Sequence, residues 1–307
     1  MILPFQKTDV KELDCVQSLI KAISQYYECN YYMIFHKVWA IRLELSYLNQ
    51  NKSVIRLGYD ETDMLQNFKQ YHGISIELKP KAGANLEALI KREIDHKNPV
   101  FIQCYSKYLS WCQDISETRL HSFLIIGLSG NKLLVYDPYY LSDVIAADQG
   151  ILDTIHTYGL VERQSGKERD YSQSFFLQSN IDFFKENNSM RNLEIFEENL
   201  GDILKRQCSP YYLDPNRSPL IRNLKLIYST HYNLLTTLGS KQLICDVEAT
   251  KIEKIADSLR QSLKLWERIR LILIKDCISK TFNSEPVLKY LLKLEEAYFN
   301  LLDTWEH

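Results

Sequence analysis

The sequence predicts an α+β fold that is followed by an all-α region. Helical and strand patterns are mixed up to residue 178, two apolar strands flank a turn near residue 130, and the spacing beyond residue 178 is almost wholly helical. Helices followed by antiparallel hairpin strands are typical of the α+β class. Because 307 residues suit two domains of about 150 residues each, we predict one domain over residues 1–178 and a helical domain over residues 179–307.

The first helix has the clearest start signal. Asp14 is a suitable N-cap, and apolar residues recur behind it at helical spacing, so Cys15 is predicted in the first turn. The other helical patterns cover residues 36–48, 61–71, 85–95, 219–238, 249–278 and 285–304. Apolar runs predict strands at 73–78, 99–105, 123–128 and 132–137, with a turn at 129–131 and an exposed loop at 163–174.

Composition excludes several classes of function. Lys and Arg number 37 against 39 Asp and Glu, which argues against nucleic acid and anionic membranes as partners. No apolar run approaches the roughly 18 residues that span a bilayer, and the N-terminus lacks a signal-peptide layout, so we expect a cytoplasmic protein. Without a Cys-x-x-Cys pair, a histidine pair at ligand spacing or a glycine-rich phosphate loop, no metal and no bound cofactor are assigned.

The strongest chemical signal is a histidine and an aspartate on neighbouring strands. If residues 129–131 form the loop, Leu128 faces Lys132 and Asp137 faces Phe123. Because side chains alternate along a strand, His121 lies on the same side as residue 123. Diagonal neighbours in a sheet lie about 7–8 Å apart or less. The strand geometry therefore predicts a hydrogen bond between His121 and Asp137.

Cys15 is the candidate nucleophile for this pair. At a helix N-terminus, the helix dipole and free backbone N–H groups stabilise a thiolate. His121 would take the thiol proton, Asp137 would orient the ring, and Cys15 would attack a carbonyl carbon. Each residue taken alone has an ordinary structural explanation, as a core cysteine, a polar strand residue and a turn aspartate. Their order and placement together favour the catalytic interpretation.

Three segments carry a resemblance to a known family. They are NPVFIQCYSKYLSW at 98–111, HSFLIIG at 121–127 and KLLVYDPY at 132–139. Together they resemble the papain-like N-terminal domain of the butirosin-biosynthesis acyltransferase family, which is related to the cysteine peptidases that cleave double-glycine leaders. The resemblance covers about the first half of the chain, and its portion from His121 to Asp137 is the more specific.

The resemblance implies a papain-like fold with an antiparallel sheet and the triad Cys15, His121 and Asp137. It also implies transfer of an acyl group from the phosphopantetheine arm of an acyl or peptidyl carrier protein, through an acyl-cysteine, to an amine on a small molecule or peptide. Such chemistry belongs to natural-product assembly, including antibiotics and nonribosomal peptides. The basic residues Lys264, Arg268 and Lys275 are candidates for carrier-protein contact, although a solvated helix face explains them equally well.

Two departures from the family pattern leave alternatives open. Val16 follows the cysteine where many relatives have a small residue, and Gln6 is the only upstream glutamine for the oxyanion role. A peptidase or amidase at the same site and a non-catalytic binding protein on the same fold are therefore the alternatives. Candidates for a substrate pocket are Tyr105, Tyr108 and Trp111.

Overall fold

The computed structural model describes residues 1–307 except 10, 11, 51, 59, 113–118, 142, 165–169 and 242. Its contacts divide the chain into two compact units. The sheet unit comprises residues 1–34 and 61–169, and the helical unit comprises residues 35–60 and 170–307. The sequence predicts a single division after residue 178, whereas the units are divided after residues 34, 60 and 169.

The described residues form helices and antiparallel strands, which confirms the α+β class. The helices are α1 (Cys15–Tyr26), α2 (Glu61–His72), α3 (Leu86–Asp95), α4 (Gln173–Glu186), α5 (Ser189–Glu198), α6 (Leu200–Gln207), α7 (Pro219–Leu238), α8 (Ala249–Ser279) and α9 (Ser284–Glu306). The strands are β1 (Ile41–Leu43), β2 (Ile55–Leu57), β3 (Ile74–Pro80), β4 (Val100–Tyr105), β5 (Leu120–Ser129), β6 (Lys132–Tyr136), β7 (Ile145–Asp148) and β8 (Ile155–Arg163). None of these helices has both the length and the apolarity that a bilayer crossing requires.

The sheet unit is organised around a six-stranded antiparallel sheet in the order β3-β8-β4-β5-β6-β7. The first five residues of β4 and seven consecutive residues of β5 are buried, as expected for strands at the centre of a sheet. Helix α1 packs against β5. Of the predicted loop at 163–174, residues 165–169 lie outside the described residues.

The hairpin between β5 and β6 has a tighter turn than the sequence predicts. Ser129 pairs with Lys132, so the turn holds two residues, Gly130 and Asn131, and the predicted three-residue loop at 129–131 is wrong. Gly130 has a φ of 58°, a conformation that glycine adopts without steric cost. A glycine at the first central position is typical of a type II′ hairpin turn.

A β-bulge before Gly127 restores the register that the sequence predicts for the functional residues. The shift lies between residues 125 and 127, and beyond it Leu124 pairs with Tyr136. Asp137 comes next along the chain and therefore lies opposite Phe123, as predicted. The two-residue turn and the one-residue bulge offset each other, because each shifts the pairing by a single residue.

The helical unit surrounds a buried histidine. The Nε2 atom of His231 accepts hydrogen bonds from the indole of Trp39 at 3.1 Å and the hydroxyl of Tyr298 at 2.7 Å. Its Nδ1 donates to the carbonyl oxygen of Ile227 at 2.7 Å, and Trp266 donates to the Tyr298 hydroxyl at 2.7 Å. Burial lowers the pKa of His231 to about 4, so the ring is neutral near pH 7. This network joins α7, α8 and α9 to the segment that precedes β1.

The helix predicted over residues 36–48 is wrong, because this segment contains β1 and pairs with β2. Its backbone groups bond to side chains of the helical unit. Asn180 Oδ1 accepts the N–H groups of Val38 and Trp39, and Ser189 Oγ accepts the first N–H group of β1. These partners lie more than 140 residues away in the sequence, so the local periodicity could not indicate them.

Candidate active site

A buried hydrogen bond joins His121 to Asp137. The Nε2 atom of His121 lies 2.7 Å from Oδ2 of Asp137, and it is the donor because a carboxylate oxygen only accepts. The residues are 3% and 0% exposed, respectively. The hydrogen bond predicted from the strand geometry is therefore present. In the neutral ring, donation from Nε2 leaves Nδ1 as the nitrogen that can accept a proton.

Three further donors hold the carboxylate of Asp137. The indole Nε1 of Trp111 donates to Oδ2 at 2.8 Å. The backbone N–H groups of Tyr139 and Tyr140 donate to Oδ1 at 3.2 and 3.3 Å, in the turn that follows β6. With His121, four donors fix both oxygens, which satisfies the buried carboxylate and sets the orientation of the imidazole.

Cys15 is the first residue of α1, as predicted. Asp14 is the N-cap, and a capping box links its side chain to the backbone N–H of Gln17 while the Gln17 side chain accepts from the Asp14 N–H. The side chain of Cys15 is half-buried. Its sulfur accepts a hydrogen bond from the backbone N–H of Ser122, the residue after His121. The start of α1 therefore lies against the start of β5.

The thiol of Cys15 is not a stabilised thiolate in this structure. Burial raises its pKa to about 12, and the negative charges of Asp14, Glu61 and Asp137 add to the increase. The N–H of Ser122 has the opposite effect but does not offset them. The sequence predicts that the helix N-terminus lowers this pKa, whereas burial and the three carboxylates raise it.

No hydrogen bond joins the sulfur of Cys15 to His121 within the described part of the chain. The residue nevertheless lies close enough to Asp137 for that charge to raise the pKa of the thiol. In unliganded enzymes, catalytic hydrogen bonds are often long and shorten only when substrate binds. The arrangement is thus compatible with proton transfer from Cys15 to His121, and the catalytic roles stay predictions.

A second thiol, Cys112, lies beside the same pair. One ligand atom each from Cys112, His121 and Asp137 falls within 4.8 Å of the other two. Cys112 is 5% exposed, and burial followed by the charge of Asp137 raises its pKa to about 12. The sequence predicts no role for Cys112. Its position next to Trp111 indicates that it lies near the site only once the contact between Trp111 and Asp137 is known.

The structure separates the three aromatic residues predicted for a substrate pocket. Trp111 lies at the site, where it supports Asp137. Tyr105 has its ring 5.7 Å from that of His156, and the ring of Tyr108 lies 4.8 Å from the ammonium group of Lys107. Both tyrosines are exposed. No ring contact links either of them to His121 among the described residues, and their substrate role stays a prediction.

Two other tyrosines do lie against the histidine. The ring centroids of Tyr139 and Tyr140 are 6.1 and 4.8 Å from that of His121, and the two rings meet edge to face at 4.9 Å. They are 37% and 40% exposed, so they reach solvent beside a histidine that is almost fully covered. In the sequence, Tyr139 stands out only as part of the segment after the strand.

Gln6 lies on the surface. Its backbone oxygen accepts from the hydroxyl of Tyr136 at 2.7 Å, and its side chain forms no hydrogen bond to any described residue. Its proposed oxyanion role stays a prediction without a contact to support it. The backbone N–H of Cys15 is the other donor that the sequence suggests, because the first N–H of a helix has no acceptor within the helix.

Comparison with known proteins gives limited information. No protein-family model matches the chain, and no curated protein matches it. Seven chains of solved structures match, including a "putative C39-like peptidase" from Bacillus anthracis. That match has 15% sequence identity and a TM-score of 0.28, and it covers 53% of this chain and 96% of the other. At these values it carries no conclusion about the fold or the activity of this chain.

Proposed function

We propose that this chain is a papain-like cysteine enzyme that forms an acyl thioester on Cys15. His121 acts as the general base and Asp137 orients it. The observation that carries the proposal is the buried hydrogen bond of 2.7 Å from His121 to a carboxylate that three further donors hold in place. This arrangement leaves one imidazole nitrogen available as a base. The thiol of Cys112 lies within 4.8 Å of the pair, and the thiol of Cys15 accepts from the backbone N–H of Ser122, the residue after His121.

Two features favour Cys15 over Cys112 as the nucleophile. Cys15 is half-buried as a residue, whereas Cys112 is 5% exposed. Cys15 also begins a 12-residue helix, which offers its own backbone N–H and the positive end of the helix dipole to a developing oxyanion.

The high pKa of Cys15 determines the order of proton transfers. The resting thiol carries its proton, so it must lose that proton to Nδ1 of His121 as the sulfur attacks the carbonyl carbon. The tetrahedral intermediate then breaks its bond to the leaving group, which takes the proton from His121. An amine or water next attacks the thioester and gives a proton to His121. The C–S bond then breaks, and His121 returns that proton to the departing sulfur, which releases Cys15 as the thiol.

For the second step we propose an amine rather than water. This choice rests on the resemblance to the butirosin-biosynthesis acyltransferase family, which also supplies the acyl donor, a phosphopantetheine thioester on an acyl or peptidyl carrier protein. The exposed residues Lys264, Arg268 and Lys275 of α8 are a candidate contact surface for an acidic carrier. Hydrolysis, as in a peptidase or amidase, is the alternative fate of the same intermediate, and loss of all chemistry is the third.

Mass spectrometry of the intact protein, incubated with acyl-pantetheine thioesters and a metal chelator, tests the proposal. We expect one acyl adduct, mapped by proteolysis to Cys15, absent from Cys15→Ala and still formed by Cys112→Ala. An adduct on Cys112 alone would transfer the nucleophile role to that residue. If no thioester or peptide ester gives an adduct, the non-catalytic alternative is favoured. Adding primary amines to the acylated protein then measures aminolysis against hydrolysis.

A further inference from the structure

Cys112, His121 and Asp137 bring a sulfur, a nitrogen and an oxygen ligand within 4.8 Å of one another. We propose that these three side chains bind one Zn²⁺ ion and that the ion switches off the base. The residues are 9 and 16 positions apart in the chain, a spacing that no short zinc motif contains. This explains why the sequence analysis assigned no metal.

The donor set suits zinc. Zn²⁺ binds thiolate and imidazole ligands, whereas Mg²⁺ and Ca²⁺ take oxygen ligands. With Zn–S near 2.3 Å and Zn–N near 2.0 Å, tetrahedral coordination places sulfur and nitrogen about 3.5 Å apart. The cluster, whose spacing is at most 4.8 Å, therefore needs to close by about 1.3 Å at most, and the 2.7 Å between Nε2 of His121 and Oδ2 of Asp137 has to widen to about 3.3 Å. Three protein ligands leave a fourth position for water.

The surroundings of Asp137 are those of an oriented metal ligand. The indole N–H of Trp111 and the backbone N–H groups of Tyr139 and Tyr140 hold the carboxylate. Metal-binding carboxylates are commonly held by such outer hydrogen bonds. A Cys112 thiolate and the Asp137 carboxylate together offset the two positive charges of the ion. Because all three ligand residues are less than 6% exposed, the ion would lie in a desolvated position.

Binding would move two protons. Cys112 releases its proton to solvent as its sulfur ligates the metal. The ion takes the place of the proton that Nε2 of His121 shares with Asp137, so that proton moves to Nδ1. With Nδ1 protonated, His121 cannot accept the proton of Cys15. This inhibition rests on the proposed function, whereas the binding itself does not.

Calorimetric titration of the intact chain with ZnCl₂, with no acyl substrate present, tests the binding. We expect one ion per chain and an unchanged affinity in Cys15→Ser. In Cys112→Ser we expect the affinity to fall roughly 100-fold or more, since the loss of a residue that only hydrogen-bonds to a ligand already costs about 10–100-fold in metal affinity. Co²⁺ in place of Zn²⁺ should give a thiolate charge-transfer band that Cys112→Ser lacks and Cys15→Ser keeps.

Three outcomes would overturn the site: no binding by the wild-type chain, wild-type affinity in Cys112→Ser, or equal losses in Cys15→Ser and Cys112→Ser. If Cys112→Ser fails to fold, X-ray absorption of the zinc-loaded Cys15→Ser chain decides, and a first shell without sulfur refutes the proposal. Because acylation is measured with chelator and zinc binding without substrate, failure of one experiment leaves the other result intact.

Discussion

The thiol of Cys15 should react slowly, and its reactivity should follow an unusual pH profile. With a pKa of about 12, only about one thiol in 10⁴ is ionised at pH 8, against about a quarter of an unperturbed cysteine with a pKa near 8.5. The more basic thiolate is the stronger nucleophile, with a Brønsted coefficient of about 0.4–0.5. The two effects together predict exchange with a small disulfide about 10²-fold slower than that of a free thiol.

The assay is exchange followed by peptide mass mapping between pH 7 and 10, with the exposed Cys245 as a comparison within the same molecule. The exchange rate of an ordinary thiol levels off above a pH of about 9. The exchange rate of Cys15 should rise about tenfold per pH unit from pH 7 to 10, since its pKa lies above this range. The shape of this profile separates ionisation from accessibility, because poor access lowers the rate equally at every pH.

The matched variant is Asp14→Asn. Asparagine keeps the N-cap hydrogen bond and removes the nearest negative charge, so Cys15 should exchange faster and α1 should persist. A plateau near pH 7 in the wild-type chain, or a slower rate in Asp14→Asn, would refute the reasoning from burial and charge. If His121→Ala also abolished such a plateau, the resting site would hold a thiolate–imidazolium pair.

Three more outcomes follow from the hydrogen bonds. Asp137→Asn should lower the acylation rate by about 10³–10⁴-fold, because an amide cannot hold the same tautomer of the ring, as seen when an acidic triad member is replaced; a loss below tenfold in the same mass-spectrometric assay would argue against the triad. In urea titrations, Trp111→Phe should reduce the free energy of unfolding by about 1.5–3 kcal/mol, the value of a hydrogen bond to a charged group. The control, Trp305→Phe, breaks an exposed indole hydrogen bond to a neutral amide and should change the free energy of unfolding little. Equal effects of the two substitutions would contradict this prediction. As the pH falls from 6.5 to about 4, the protein should lose up to about 3 kcal/mol of its free energy of unfolding because of His231. The folded pKa of this residue is depressed, so only the unfolded state gains a proton in this range. A His231→Gln variant with the same acid transition would exclude this cause.

The hairpin shows how far strand geometry alone can predict a site. The alternation of side chains and the order of His121 and Asp137 sufficed to predict their hydrogen bond. The detailed register was predicted correctly for the wrong reason, because a shorter turn at Gly130 and a bulge before Gly127 offset each other. A bulge arises where the strand must accommodate other backbone, and here Ile2 pairs with Gly127. That contact spans more than 100 residues, so local patterns do not reveal it.

Other features depended on contacts that no local pattern encodes. Residues 36–48 have helical periodicity, yet the side chains of Asn180 and Ser189 accept hydrogen bonds from backbone N–H groups of this segment, which contains a strand instead. Trp111 was assigned to a pocket because aromatic residues commonly line one, whereas its indole N–H serves Asp137. The pKa of Cys15 was predicted from its own helix alone. Burial is the main cause of the raised pKa, and the smaller effects of Glu61 and Asp137 come from other elements.

The helical unit is built from two separate parts of the chain, so the ribosome synthesises some of its contacting residues long before their partners. Trp39 emerges early, but its partner His231 is translated 192 residues later, and the Tyr298 that completes the buried trio comes later still. The N–H groups of Val38 and Trp39 lack their acceptor until Asn180 has been translated, and the indole of Trp39 lacks its acceptor until His231 has been translated. A fragment that ends at residue 178 would contain every strand of the six-stranded sheet but none of the side chains at positions 180, 189 and 231 that bond to the segment before and at the start of β1.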